Sequence, residues 1–171
     1  MNQSPICLFA YNRPAEFEQT IEALKQNYLA TESELFVFLD GPKDKSNEFD
    51  TKSVEKIANS ISGFKSVVVY KSETNKGLAN SIIEGITKIF DTHETVIVLE
   101  DDLITSPNFL DFVNQGLLHF KDNDKIFSIS GWSLDLPALK HSNHDYYCHY
   151  RLSSWGWGIW KDRWKKIQWE K

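Results

Sequence analysis

Apolar runs of strand length recur along the chain at Ile6 to Ala10, Leu35 to Leu39, Ser66 to Tyr70, Val96 to Leu99 and Ile126 to Ile129. Between them the apolar positions take helical spacing. Phe17, Ile21 and Leu24 fall at i, i+4 and i+7, as do Val54, Ile57 and Ile61, and Ile82, Ile86 and Ile89. A continuous apolar run suits a strand covered on both faces, and a 3.6-residue period suits a helix burying one stripe. The alternation predicts β-α-β-α-β-α-β-α-β, an α/β, Rossmann-like fold with a mainly parallel central sheet flanked by helices. The chain reads as a single domain over 1–171, with a core over 1–104 and a second region over 105–171. Pro42 to Asp50 and Ser133 to Tyr146 read as loose stretches, the second long enough for a functional loop. Near the end, Trp157, Trp160, Trp164 and Ile167 keep helical spacing and predict a helix with an aromatic face. That face is expected to pack on the sheet, with a membrane-facing role as the alternative.

Composition narrows the class. With 171 residues and 41% hydrophobic content, the chain can bury a core. Its net charge of −5, from 19 basic and 24 acidic residues, lacks the basic excess of a nucleic-acid surface and excludes that partner. A small anionic ligand remains compatible, because a metal and a few cations can neutralise a diphosphate inside an acidic protein. No apolar run is long enough to span a bilayer and no signal-peptide pattern opens the chain, so a cytoplasmic protein is expected, with peripheral membrane association left open. Cys7 and Cys148 read as reduced thiols, one long-range disulfide being the alternative. There is no P-loop or Gly-x-Gly-x-x-Gly fingerprint, which argues against an NTPase or a dinucleotide-dependent dehydrogenase. Ser153-Ser154 is no nucleophile elbow, and His141, His144 and Cys148 lack a second pair of zinc ligands.

In sheets of this kind ligands gather at the carboxyl ends of the strands. There the chain carries Tyr11-Asn12-Arg13-Pro14, Asp40-Gly41-Pro42, Asn75-Lys76-Gly77, Glu100-Asp101-Asp102 and Gly131-Trp132. Three adjacent carboxylates after a buried strand repel one another unless a cation or donors answer them. Mg²⁺ or Mn²⁺ commonly takes one or two carboxylates and completes its shell with water and phosphate, so the triplet suits a metal–diphosphate site. A solvated acidic turn before a helix near Pro107 is the other reading. Arg13 could meet a phosphate or stack on a base. Asp40 could accept from a uracil imide, or either residue could be an ordinary ion-pair or turn former. Asn75-Lys76-Gly77 begins a helix, where free N–H groups favour anions.

Taken in order, several segments resemble bacterial glycosyltransferases of the GT-A fold, particularly those related to N-acetylglucosaminyltransferase I. They are Pro5 to Pro14, Phe38 to Pro42, Asn75 to Ala79, Val98 to Asp102, Ser128 to Trp132 and Ser154 to Trp160. The resemblance implies an inverting, metal-dependent transferase that moves a hexosyl or N-acetylhexosaminyl unit from a UDP-sugar to a glycan or other hydroxyl acceptor. It makes 1–104 the nucleotide-sugar core and 105–171 the start of the acceptor-side region. Asp102 would be the direct ligand of Mn²⁺ (or Mg²⁺), as in an Asp-x-Asp motif, with Glu100 and Asp101 toward the donor sugar and ribose. Arg13 would contact the nucleotide, Asp40 the uracil, and Asn80 or Ser81 a further nucleotide position. Trp132 would bind on the donor-sugar side and, with the Gly156-Trp157 turn, shape the acceptor side. The resemblance also places the general base beyond Lys171, so the chain is expected to be a C-terminally truncated fragment that binds donor without efficient transfer. A non-catalytic nucleotide- or carbohydrate-binding module and a sugar nucleotidyltransferase are the alternatives.

Overall fold

The strand Ile6–Ala10 (β1) is buried at all five positions, as a strand in the middle of a covered sheet must be. The computed structural model describes residues 3–169. It pairs β1 in parallel with Glu34–Leu39 (β2) on one side and Thr95–Glu100 (β4) on the other, setting Ile6 opposite both Leu35 and Ile97. Ser66–Lys71 (β3) adds to the outer edge of β2, again in parallel. Three helices make the crossovers: Pro14–Lys25 (α1), Glu48–Asn59 (α2) and Leu78–Ile89 (α3). A fourth, Phe109–His119 (α4), follows β4.

The period-two alternation of β1 divides the core into two layers. Ile6, Leu8 and Ala10 join one cluster with Phe17, Leu24, Val54 and Leu110, drawn from α1, α2 and α4. Cys7 and Phe9 point into the other, with Ile86 and Ile89 of α3. Each large apolar side chain so buried contributes about 1.5–3 kcal/mol. Burial also pushes the Cys7 thiol above its ordinary pKa. Cys7 is buried, Cys148 exposed, and both are free.

The C-terminal third departs from the periodicity. Trp157–Trp160 is a strand (β6), not part of a helix, and only Lys161–Trp164 (α5) is helical. With the short strand Ser128–Ser130 (β5), two residues later than the apolar run at Ile126 predicts, it completes the order β3-β2-β1-β4-β6-β5. β6 runs antiparallel to both β4 and β5. Spacing alone misleads here because Trp157 and Ile159 enter one core layer while Trp160 enters the other, which is period two. Pairing on both edges of β6 outweighs the local helical pattern. The indole N–H of Trp160 donates to the Leu117 carbonyl at 3.0 Å, and that of Trp164 to Thr87 Oγ1 at 3.0 Å. Trp157, Trp160 and Trp164 are thus core residues, whereas Trp155 and Trp169 are exposed.

The stretch from Pro42 to Asp50 is also more ordered than expected. It holds a 3₁₀ turn, Lys45–Asn47, whose Ser46 N–H is capped by Asp44, and then the first turn of α2. The Ser133 to Tyr146 stretch contains a 3₁₀ turn at Pro137–Leu139 and is anchored where the Tyr146 hydroxyl donates to the Phe112 carbonyl at 2.7 Å. Among the described residues, no helix is long and apolar enough to cross a membrane.

β6 lies close under α4 because Gly158 has no side chain. A Cβ there would stand 2.7 Å from Val113 Cγ1 and 2.9 Å from Leu117 Cδ1. Gly158→Ala is therefore expected to lower unfolding free energy by about 1–3 kcal/mol in urea titrations. Adding Val113→Ala should recover part of that loss, whereas additive losses would refute the overpacking account.

Candidate functional site

The carboxyl ends of β1, β2 and β4 and the start of α3 enclose an open crevice of about 290 Å³. Its wall includes Phe9, Tyr11, Arg13, Phe38, Asp40, Asn75, Ser81, Glu100 and Asp101. Phe9 and Phe38 are stacked, with centroids 4.9 Å apart and planes 12° from parallel, and Tyr70 stacks on Phe38 at 5.1 Å. α3 can approach this aromatic layer because its Gly85 is bare. A Cβ at that position would lie 2.7 Å from the Phe9 ring.

At the end of β4 the acidic triplet is split by its surroundings. Asp101 is buried, at 3% exposure, and accepts from the Tyr11 backbone N–H at 3.1 Å and from Arg13 Nη2. Asp102 is exposed and accepts from Arg13 Nη1 at 2.7 Å. One guanidinium therefore bridges two adjacent carboxylates. Pro14, at the first position of α1, breaks the backbone just after Arg13 and lets α1 begin there. Burial raises the Asp101 carboxyl above its usual range, opposed by the Tyr11 N–H and by Arg13. Burial also raises Glu100, and the charges of Asp102 and Asp101 push the same way.

Asp40 is engaged just as fully. Its Oδ1 accepts from Gly41 N–H at 3.0 Å and Lys76 N–H at 2.8 Å, and its Oδ2 from Gly77 N–H at 2.9 Å and the Asn75 side-chain amide at 3.1 Å. This carboxylate closes the loop before α3 onto the end of β2. It thereby occupies the amides of Lys76 and Gly77 that an anion would otherwise meet there. Gly41 allows the close approach, since a Cβ would lie 2.6 Å from the Thr74 carbonyl carbon.

The structure brings Arg13, Asp40, Ser81, Glu100 and Asp101 to one crevice, with Asp102 joined to it through Arg13. Asn80 is elsewhere: it is exposed, and its amide donates back to the Lys76 carbonyl at 2.8 Å. Of the pair Asn80 and Ser81, Ser81 is the residue that lines the crevice. Trp132 lies in a second hollow beside Trp155, across β4. The general base expected beyond Lys171 lies outside the described residues. Tyr11 and the Phe9–Phe38 floor were not singled out from the sequence as site residues, and Asn75 was read only as part of a helix start that favours anions. The signal for Tyr11 was its place directly after β1. There its hydroxyl donates to Asn47 Oδ1 at 2.9 Å and accepts from Lys43 N–H at 3.1 Å.

Among the described residues, no group of three or more His, Cys, Asp or Glu side chains is placed to hold a metal ion. The donor set fits the other kind of site, in which one or two carboxylates share a hard divalent cation with phosphate and water. Asp102 is exposed and, among the described residues, paired only with Arg13, and Glu100 is half-buried beside it.

The model of the family described as "Glycosyl transferase family 2" matches residues 6–134. Among solved structures, the fold is similar to that of the mannosyltransferase PcManGT from Pyrobaculum calidifontis in complex with GDP-Man and Mn²⁺. The TM-score is 0.52 at 12% identity, over 75% of this chain and 35% of that one. S. aureus TarS also matches, with a TM-score of 0.47 at 17% identity over 69% of this chain and 20% of that one. The chain spans about a third of the length of the first and a fifth of the second.

Two outcomes follow from these contacts. Asp40→Ala should cost about 1–3 kcal/mol, since it leaves several donors without their acceptor, and amide hydrogen exchange at Lys76 and Gly77 should accelerate. Unchanged exchange would show that Asp40 does not hold the loop. Glu100 has a raised carboxyl pKa in the folded state, so stability should fall as pH rises from its ordinary value of 4.5 through the raised one. In metal-free buffer Glu100→Gln should then be more stable than wild type at neutral pH, with the difference vanishing below pH 4.5. A constant difference across that range would refute the burial argument.

Proposed function

We propose that this chain, which belongs to glycosyl transferase family 2, binds a UDP-sugar in the crevice and serves the transfer of its hexosyl or N-acetylhexosaminyl unit to a hydroxyl of a glycan or similar acceptor. The observation that carries the reading is the Arg13 bridge between Asp101 and Asp102 at the mouth of an aromatic-floored cavity. Such a cavity accommodates a flat base, and a cation beside exposed acid accommodates a diphosphate. Asp40, whose carboxylate already accepts four hydrogen bonds, sets the base end of the crevice by positioning Asn75. The Asn75 amide nitrogen donates to Asp40 and Gly41 and its oxygen is left to accept from a uracil imide, while Ser81 offers a hydroxyl to the ribose or phosphate.

Asp102 is the proposed ligand of Mn²⁺ or Mg²⁺, with Glu100 and Asp101 on the side of the donor sugar and ribose. A divalent ion held there would offset the charge that develops on the departing diphosphate. Asp101, held by Arg13 and the Tyr11 N–H, keeps the ends of β1 and β4 in register around that charge. An inverting course, which the resemblance favours, also needs a base at the acceptor hydroxyl. Asp101 is already committed and is not that base. The solved mannosyltransferase of similar fold, in complex with GDP-Man and Mn²⁺, agrees with a divalent ion but leaves open which base is preferred. The motifs at the strand ends support the narrower kinship with N-acetylglucosaminyltransferase I, and the setting proposed for this chain is cytoplasmic.

Isothermal titration tests the assignment. Mn²⁺ should strengthen UDP binding on the order of tenfold, equivalent to ~1.4 kcal/mol, and Asp102→Ala should remove most of that gain. UDP should also bind more tightly than GDP or CDP. Equal UDP affinity for wild type and Asp102→Ala in saturating Mn²⁺ would overturn the metal assignment, and tighter binding of GDP would overturn the choice of base.

A further inference from the structure

β3 is an end of the sheet: the strand order places it outside β2, and among the described residues its pairing is with β2 alone. Free N–H and C=O groups along an open edge accept any strand that fits, so proteins guard such edges with short length, a charge, a proline or a bulge. The opposite edge, β5, is guarded by being three residues long. β3 is six residues long, and its middle, Val67 to Tyr70, carries neither charge nor proline. Val68 is 37% exposed there.

The ladder with β2 fixes which groups face outward. The Ser72 N–H donates to the Leu39 carbonyl at 2.9 Å, where Leu39 stands opposite Lys71, so the even-numbered residues of β3 turn their backbone groups toward β2. Val67, Val69 and Lys71 therefore turn theirs to the open edge. Side chains alternate too: Val67 and Val69 pack on the layer that holds α1 and α2, and Tyr70 on the layer that holds α3. A new antiparallel strand must match outward residues with outward residues, so only every second register is open to it.

We propose that the β3 edge is a homodimer interface, in which two copies pair antiparallel about a two-fold axis at Val69 and join their six-stranded sheets into one. The occupant is a second copy because the edge is complementary to itself in that register. Val69 meets Val69 on the axis and Val67 meets Lys71. Val68 meets Tyr70 on each side of the axis, a β-branched side chain against an aromatic one at the closer, non-hydrogen-bonded spacing. Continued past the strand ends, the register sets Lys65 opposite Glu73 on each side, and both residues are exposed. The neighbouring registers lack this match. One sets Lys65 against Lys71, and the other sets Val69 against Lys71 and Val67 against Glu73. A contact one strand long lies at the small end of stable interfaces, so the dimer is reversible and depends on concentration. The carboxyl ends of the two copies' strands point in opposite directions, which leaves both crevices open.

Sedimentation of the 171-residue chain over a range of concentrations tests this, with a monomer–dimer equilibrium as the expected result. Glu73→Lys sets like charges against Lys65 on both sides of the axis and should weaken dimerisation roughly three- to tenfold. Adding Lys65→Glu exchanges the two charges and should restore it. Val69→Pro removes an N–H that faces outward rather than toward β2, so it should leave a folded monomer, with folding checked by circular dichroism. In a Cys148→Ser background, Val69→Cys should cross-link to its counterpart when diamide takes up the two thiol hydrogens, and Val67→Cys, which faces Lys71, should not. A chain that stays monomeric up to its solubility limit overturns the proposal. A dimer that Glu73→Lys leaves unweakened, or that cross-links through Val67→Cys rather than Val69→Cys, overturns it as well.

Discussion

A carboxylate at 3% exposure survives only if its charge is answered, and the answer to Asp101 organises this molecule. One donor is the Tyr11 backbone N–H at the end of β1, and the other is Arg13, which also reaches Asp102. The central pair of parallel strands is therefore joined at its carboxyl ends by charge as well as by the ladder between them. The same contact places a guanidinium and an exposed carboxylate at the mouth of the crevice. Fold and site share this interaction, because the groups that neutralise the buried acid are the groups left facing a ligand.

Asp40 does comparable work one strand over, with a different consequence. The start of α3 offers free amides of the sort that often receive phosphate, but Asp40 already accepts from Lys76 and Gly77. On the proposed donor reading, an incoming diphosphate would find its positive partners on the β4 side, at Arg13 and a divalent ion on Asp102, rather than at the helix. The same proposal puts the base on the β2 side, where Phe9 and Phe38 are stacked. That proposal gives the crevice a direction, base toward β2 and phosphates toward β4. It leads from there toward the tryptophan hollow across β4.

Glycine sets how closely the layers meet at these places. Gly85 lets α3 reach the aromatic floor, Gly41 lets the Asp40 loop close, and Gly131 and Gly156 bring the ends of β5 and β6 onto Phe109. In each case the missing side chain sits where a Cβ would collide with a neighbour. Close approach there is a property of packing, and it positions the phenyl and indole rings that border the two cavities.

Much of this was determined by the sequence alone. Apolar runs with helical spacing between them were enough to determine the parallel half of the sheet, because β1 and β4 are buried on both faces and such strands have few other ways to be written. The rule that ligands gather at strand ends then picked out Arg13, Asp40, Glu100 and Asp101, all of which line or border one crevice. What the sequence did not determine were features that depend on partners far along the chain. The spacing of Trp157, Trp160 and Trp164 fits a helix, and only pairing with β4 and β5 makes the first two part of a strand. Three adjacent acids look equivalent in one dimension. Tertiary structure decided that Asp101 is buried and Asp102 exposed, that Ser81 rather than Asn80 meets the crevice, and that Trp132 stands beside Trp155. The physical reason is the same throughout: periodicity reports which face of an element is buried, whereas burial of a single polar group and the pairing of distant strands are decided by what the rest of the fold brings against them.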